Sequence, residues 1–364
     1  MVIICDCHYR SAITAIRAFH KEGEDVIAVT TELHNNPPSF SSKLIKEKYV
    51  LPSSKDLYTD RLLSLCKRFD NPIVFPVGNF SLNVISENLD LFKECSRVCV
   101  SSPEMLSRLN DKKWVKTEAE AFGLKVPKCF DLQSAETFPL VVKPFCGEKF
   151  NLKANERYKV VYNKEQLENA YNHFKKIDER PIIEEYIDGS GVGVSFVLNG
   201  NAKAQTVFCH KRLLEYPITG GPSVYLETIY DKKLIDDTKA FLEHIGFVGI
   251  AMVEYKSTDK GYYLLEINPR VWGSFPSTEQ ANSDFIKSFL RACNSDTSSF
   301  TCNYTFGKRI KFLRGLIMAF LSNLKNAKLK KSFKCLCVIF SPFIPDATLS
   351  LKDLKPSILD FFRR

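Results

Sequence analysis

Four polar side chains near the middle of the chain are spaced for chemistry. Glu254, Glu266, Asn268 and Arg270 punctuate two apolar, aromatic-rich runs, Met252-Val253-Glu254-Tyr255 and Tyr262 through Ile267. A polar turn containing a glycine, Asp259-Lys260-Gly261, separates them, so the stretch reads as a β-hairpin. Alternate side chains on a strand share a face. Glu266 and Asn268 therefore point the same way, and Glu254 on the partner strand can lie opposite them. Two carboxylates and an amide oxygen make a hard, oxygen-rich set. Magnesium takes such ligands, commonly one or two carboxylates plus substrate phosphates, with manganese as a substitute. Arg270 adds a fixed positive charge suited to a phosphoryl group in transfer. An isolated strand acid is ordinarily solvated. Glu266, however, lies between Leu265 and Ile267 on a half-buried strand, where a carboxylate needs a partner or a metal.

Three further groups of residues can serve phosphate chemistry. Pro139-Leu140-Val141-Val142-Lys143-Pro144 is a strand ending in a lysine, which leaves the Lys143 charge at the rim of a buried sheet. His210-Lys211-Arg212 lies at a strand end near the glycine pair Gly220-Gly221, followed by Ser223. Such glycines let backbone amides approach an anion closely. His210 reads as structural rather than as a general base. Lys112 opens a helix, where a cation opposes the helix dipole and is equally well read as a solvated surface charge.

Glu254 with Glu266-Ile267-Asn268-Pro269-Arg270, and then Trp272-Gly273-Ser274, resembles the metal-binding signature of the ATP-grasp superfamily. The likeness is to its carboxylate–amine ligase branch, which holds D-aspartate ligase-like and carbamoyl-phosphate-synthase-like enzymes, and it covers roughly residues 1–300. The resemblance implies magnesium on Glu254, Glu266 and Asn268, and ATP phosphates on Lys143 and Lys112. It implies an adenine hinge at Pro181 through Gly189, with Glu184 and the backbone of Glu185, Tyr186 and Ile187 reading the base and Asp188 as the only nearby ribose-binding acid. Lys211 or Arg212 would take the γ-phosphate or a substrate carboxylate, in a region with Gly220, Gly221 and Ser223 beside the acceptor. The common glycine-rich phosphate flap is reduced here to Cys146-Gly147-Glu148-Lys149, with one glycine.

The elements that position these residues fall into three parts. Residues 1–105 open as strand, helix, strand, from Val2-Ile3-Ile4-Cys5 through a helix at Ser11 to Lys21, and so read as a Rossmann-like α/β domain with a parallel sheet. No G-x-G-x-x-G follows the first strand, which argues against a dinucleotide. By resemblance this is the preATP-grasp domain. Residues 106–300 read as the α+β ATP-grasp domain, in subdomains of about 106–185 and 186–300. The remainder, 301–364, is a basic, partly amphipathic extension.

The 364 residues suffice for two or three domains, and the net charge is +9. From residue 300 onward thirteen Lys/Arg stand against three Asp/Glu, a surplus of ten, so the first 299 residues are near neutral at −1. Lys308 through Arg314 precede the apolar run Gly315 through Leu321, and Lys325 through Lys334 are rich in lysine; a basic amphipathic helix here suits an anionic membrane surface, and equally a helical cap with a solvated basic face. No nucleic-acid fold or stacking motif accompanies the charge. The twelve cysteines show no metal-ligand spacing, and no export signal opens the sequence, so the expectation is a reduced, cytoplasmic protein, peripheral to the inner membrane face if the tail binds lipid.

The function expected is an ATP- and magnesium-dependent ligase. It would join a small-molecule or peptide carboxylate to an amine through an acylphosphate, releasing ADP and phosphate, in peptide or cell-surface polymer biosynthesis. The alternatives are a nucleotide-binding sensor or scaffold without turnover, and a membrane-peripheral ligase acting on a lipid-linked precursor. Substrate identity and oligomeric state are not legible.

Overall fold

Val2–Cys5 (β1) is a run of four buried residues, the pattern of a strand covered on both faces. In the computed structural model, which describes residues 1–145, 152, 156–217, 221–294 and 299–363, it lies inside a parallel sheet. Val26–Thr31 (β2), Ile45–Leu51 (β3) and Ile73–Pro76 (β4) complete that sheet in the order β3-β2-β1-β4. The helix Arg10–Lys21 makes the crossover from β1 to β2 and buries Ala12, Ala15, Ile16 and Phe19. Lys55–Arg68 connects β3 to β4 and covers the other face through Tyr58, Leu62 and Cys66.

A small antiparallel sheet follows, built from Cys129–Phe130 (β5), Leu140–Lys143 (β6), Lys159–Val161 (β7) and Ile182–Glu185 (β8), in the order β5-β8-β6-β7. The helix Lys164–Lys175 packs Leu167, Ala170 and Phe174 on Leu140, Val142 and Ile183. That spacing of three and four residues is one helical stripe.

The largest sheet is antiparallel and six-stranded. Its members are Ser190–Leu198 (β9), Ala204–Glu215 (β10), Ser223–Thr228 (β11), Gly249–Thr258 (β12), Gly261–Asn268 (β13) and Arg309–Lys311 (β14), in the order β13-β12-β9-β10-β11-β14. β9 and β10 turn at Asn199, whose Oδ1 accepts from the amides of Asn201 and Lys203, both at 3.0 Å. The side chain thereby closes the turn.

The basic tail is not helical from its start. Residues 309–311 are a strand on the edge of the large sheet, and Lys311 is buried. Its ammonium donates to the carbonyls of Val338, Ile339 and Ser341 at 3.1, 2.9 and 2.9 Å, satisfying the end of the helix Leu329–Phe340. The last helix, Leu354–Phe362, docks on the helix Arg10–Lys21 and on the turn Pro38–Ser41. There Arg17 holds Asp353 at 3.2 Å and also donates to the Thr348 carbonyl and to Ser357 Oγ.

Candidate functional site

The central hairpin forms between β12 and β13 around Asp259-Lys260. Glu254 stands directly across from Glu266, and Met252 across from Asn268. The two carboxylates and the amide therefore share one sheet face. Asn268 Nδ2 lies 3.3 Å from Glu254 Oε1 and 3.3 Å from Glu266 Oε1. In this arrangement the amide donates to both acids; ligation by its oxygen requires the amide to turn over.

Glu266 is the focus of the local charge. Burial works against its ionisation, but Lys112, then Lys143, the Asn268 amide and Arg270 together hold it below the ordinary carboxylate range. Glu254 moves the other way. Burial pushes it up despite the Arg212 guanidinium, and Glu266 adds to the rise. The pair is split as two neighbouring carboxylates should be, one readily ionised and one resisting a second negative charge.

Each cation comes from a different element. Lys112 begins the helix Lys112–Ala121, which Asp111 caps through its Oδ1 to the amides of Lys113 and Trp114, both at 2.9 Å. Lys143 ends β6 and contacts Glu184 on the neighbouring β8. Arg270 follows β13 and donates to the Val271 carbonyl at 3.1 Å. Arg212 on β10 reaches Glu254 at 2.6 Å and Glu215 at 3.6 Å.

Lys116 also belongs to this region, and sequence reasoning did not single it out. It lies one helical turn after Lys112, and its Nζ is 2.5 Å from Glu184 Oε2. Glu184 thus sits between two ammonium groups in the interior. Burial opposes its charge, but Lys143 and Lys116 overcome that and hold its pKa at about 2. Burial wins at Lys116, whose pKa is lowered, whereas Glu184 wins at Lys143, whose pKa is raised.

Other expected site residues are placed less directly. The Glu184 carboxylate is committed to the lysines rather than left for a base. The amides of Glu185 and Tyr186 donate to the carbonyls of Lys128 and Pro139 at 2.8 and 3.3 Å, so a purine at this hinge must use other backbone groups. Ile187 is buried and Asp188 is exposed. Lys211 is not brought to the site. It lies between His210 and Arg212 on β10, and the two-residue period of a strand turns it to the other face. The Gly221 carbonyl accepts from Arg212 at 3.4 Å, while Ser223 begins β11 opposite Glu215. Gly220 and Cys146 through Lys149 lie outside the described residues.

His210 is fully buried, with its Nε2 3.2 Å from Ser274 Oγ. Burial lowers its pKa to about 3, with a smaller push from Arg212, so it is neutral and structural. Gly193 on β9 makes room for it. A Cβ there would stand 2.5 Å from His210 Cε1.

Among the described residues no cluster of three His, Cys, Asp or Glu side chains could hold a metal alone. The set of Glu254, Glu266 and Asn268 fits a hard cation that completes its shell with substrate phosphates. Residues 109–274 match the model of the ATP-grasp domain family. The chain carries an ATP-grasp domain.

That domain contains all four hairpin residues as well as Lys112, Lys116, Lys143, Glu184 and Arg212. Solved structures share the wider fold. The biotin carboxylase domain of Hydrogenobacter thermophilus 2-oxoglutarate carboxylase, in complex with MgADP, ADP and bicarbonate, superposes with a TM-score of 0.65 at 15% identity, covering 85% of this chain and 73% of that one. L-amino acid ligase from Bacillus licheniformis gives a TM-score of 0.59 at 14% identity, covering 81% and 75%. Pyruvate carboxylase from Staphylococcus aureus is 24% identical over 320 residues. Those residues are 78% of this chain but 27% of that protein, so the chain spans about a quarter of its length.

Proposed function

We propose that the protein is an ATP-dependent carboxylate–amine ligase working through an acylphosphate. One observation carries the reading: Lys112, Lys143 and Arg270, from three separate elements, converge electrostatically on Glu266, beside Asn268 and Glu254. A cluster of fixed cations around an oxygen-rich metal set is what phosphoryl transfer needs, since that reaction is driven by positioning and charge rather than by a protein nucleophile. The similarity in fold to a biotin carboxylase domain in complex with MgADP, and to an L-amino acid ligase, supports the same assignment.

Glu254, Glu266 and Asn268 would hold magnesium, which when bound supplies positive charge to the terminal phosphates. Lys143 and Lys112 hold the phosphate chain, and Arg270 faces the group in flight. Lys116 and Glu184 fix Lys143 in place. A substrate carboxylate oxygen attacks the γ-phosphorus, and the bond from that phosphorus to the ADP oxygen breaks. The amine nitrogen then attacks the acyl carbon, phosphate departs, and the nitrogen loses its proton. Arg212 has the charge and reach to orient a substrate carboxylate. The acid and the amine are small molecules or peptides, and the setting is the cytoplasm.

Hydroxylamine tests the intermediate. With ATP, magnesium and the correct acid but no amine, an acylphosphate is captured as the hydroxamate with stoichiometric ADP. ADP formation with no hydroxamate in the presence of hydroxylamine contradicts the route.

A further inference from the structure

We propose that the helical hairpin Leu313–Lys325 and Leu329–Phe340 docks on an anionic lipid bilayer, lying in its surface. The inference rests on the outer face of this hairpin and does not depend on the ligase reading.

The second helix carries two apolar stripes. One is buried: Cys335 and Val338 pack with Leu316 and Ala319 of the first helix on Val224 and Tyr225 of β11. The other points outward. Leu329, Phe333, Leu336 and Phe340 follow one another at four, three and four residues, the spacing of a single helical face. They are 68, 68, 37 and 77% exposed. Leu321 and Leu324 of the first helix are also exposed, at 50 and 49%. A helix apolar on two sides, with one side covered by its own protein, needs a second apolar medium.

The stripe is anchored at one end. The buried Lys311 ammonium ties down the carbonyl end of the second helix. The hairpin therefore cannot fold the stripe inward without losing that cap.

Charge identifies the medium. Residues 297–345 contain nine Lys/Arg and no Asp or Glu. Five of those lysines, Lys325, Lys328, Lys330, Lys331 and Lys334, are exposed on the same hairpin. The next acid along, Asp346, is engaged with the amides of Leu313, Thr348 and Leu349 at 2.7, 2.8 and 2.9 Å. Exposed apolar side chains on a lysine-rich hairpin match lipid tails below anionic headgroups. A nucleic acid would neutralise the lysines and leave the Leu/Phe stripe uncovered. Among the described residues no helix is long and apolar enough to cross a bilayer, so the hairpin lies on the surface.

The test is co-sedimentation of the full chain with vesicles of phosphatidylcholine containing phosphatidylglycerol, against vesicles of phosphatidylcholine alone, with particle mass followed by light scattering. The expected result is binding to the anionic vesicles only, weakening as salt rises. Lys330→Glu, Lys331→Glu and Lys334→Glu should each lower partitioning by roughly fivefold or more. Phe333→Ser with Phe340→Ser should abolish binding while circular dichroism stays unchanged. Equal binding to both vesicle types, or none at low salt, overturns the proposal. So does a dimer that the two serine substitutions dissociate and that shows no vesicle binding, because a second copy then covers the stripe.

Discussion

The Arg212 guanidinium sits on the Glu254 carboxylate, with Nη2 and Oε2 2.6 Å apart. In the proposed function that carboxylate is also a metal ligand, so two cations compete for it. Arg212→Met removes one competitor and takes one positive charge out of the site. Binding of manganese, measured by electron paramagnetic resonance without nucleotide, should tighten roughly tenfold. Turnover should fall, because the substrate carboxylate loses its partner. Unchanged metal affinity would separate Glu254 from the metal site.

Glu184 between Lys116 and Lys143 is a buried charge network, where losing one member leaves the others uncompensated. Glu184→Ala should destabilise the fold by about 3–5 kcal/mol in urea denaturation. Lys116→Met should cost less, since Lys143 still neutralises Glu184. A Glu184→Ala protein as stable as wild type would show that the network is solvated.

Gly193 and His210 make a packing pair across β9 and β10. Gly193→Ala puts a methyl group 2.5 Å from the imidazole and 3.1 Å from Met252 Sδ, which should cost about 1–3 kcal/mol. Adding His210→Ala should recover part of the loss, giving a favourable coupling in a double-mutant cycle. Additive effects would mean that Met252 or the backbone bears the clash.

The same histidine gives a pH dependence. Its ordinary pKa is 6.5 and the native protein lowers it to about 3. Between those values the unfolded chain binds a proton that the native state refuses. The stabilising contribution is therefore complete above about pH 6.5 and is lost as pH falls toward 3, at roughly 1.4 kcal/mol per pH unit. Glu184 acts in the same direction lower down, between its ordinary 4.5 and about 2. In urea titrations from pH 7 to pH 4, His210→Gln should show a shallower acid slope than wild type. Parallel slopes would mean that the native protein protonates His210.

The hairpin was legible because everything that defines it is local. Alternation at Glu266 and Asn268 and a glycine-containing turn determine both the strands and the face the acids share. The first parallel strands were legible for the same reason, being unbroken apolar runs. Ile45–Leu51 was not, since its exposed lysines and half-buried glutamate hide an edge strand. Lys116 escaped notice because its partner, Glu184, belongs to a distant strand. His210-Lys211-Arg212 read as one cluster, and only the strand period divides it. The strand at Arg309–Lys311 was not legible within the basic run from Lys308 to Arg314. What allows Lys311 to be buried is a trio of carbonyls at the end of a helix later in the chain, and those meet only in the folded protein.

The most direct test of the ligase assignment is nucleotide release. Wild type and Glu266→Ala are incubated with ATP, magnesium and pooled carboxylates and amines, and ADP is resolved from AMP. A ligase gives ADP and phosphate from wild type only when a particular acid and amine are both present, and Glu266→Ala should lose roughly 10²-fold or more with the fold intact. AMP and pyrophosphate, or equal turnover by the two proteins, would contradict the assignment.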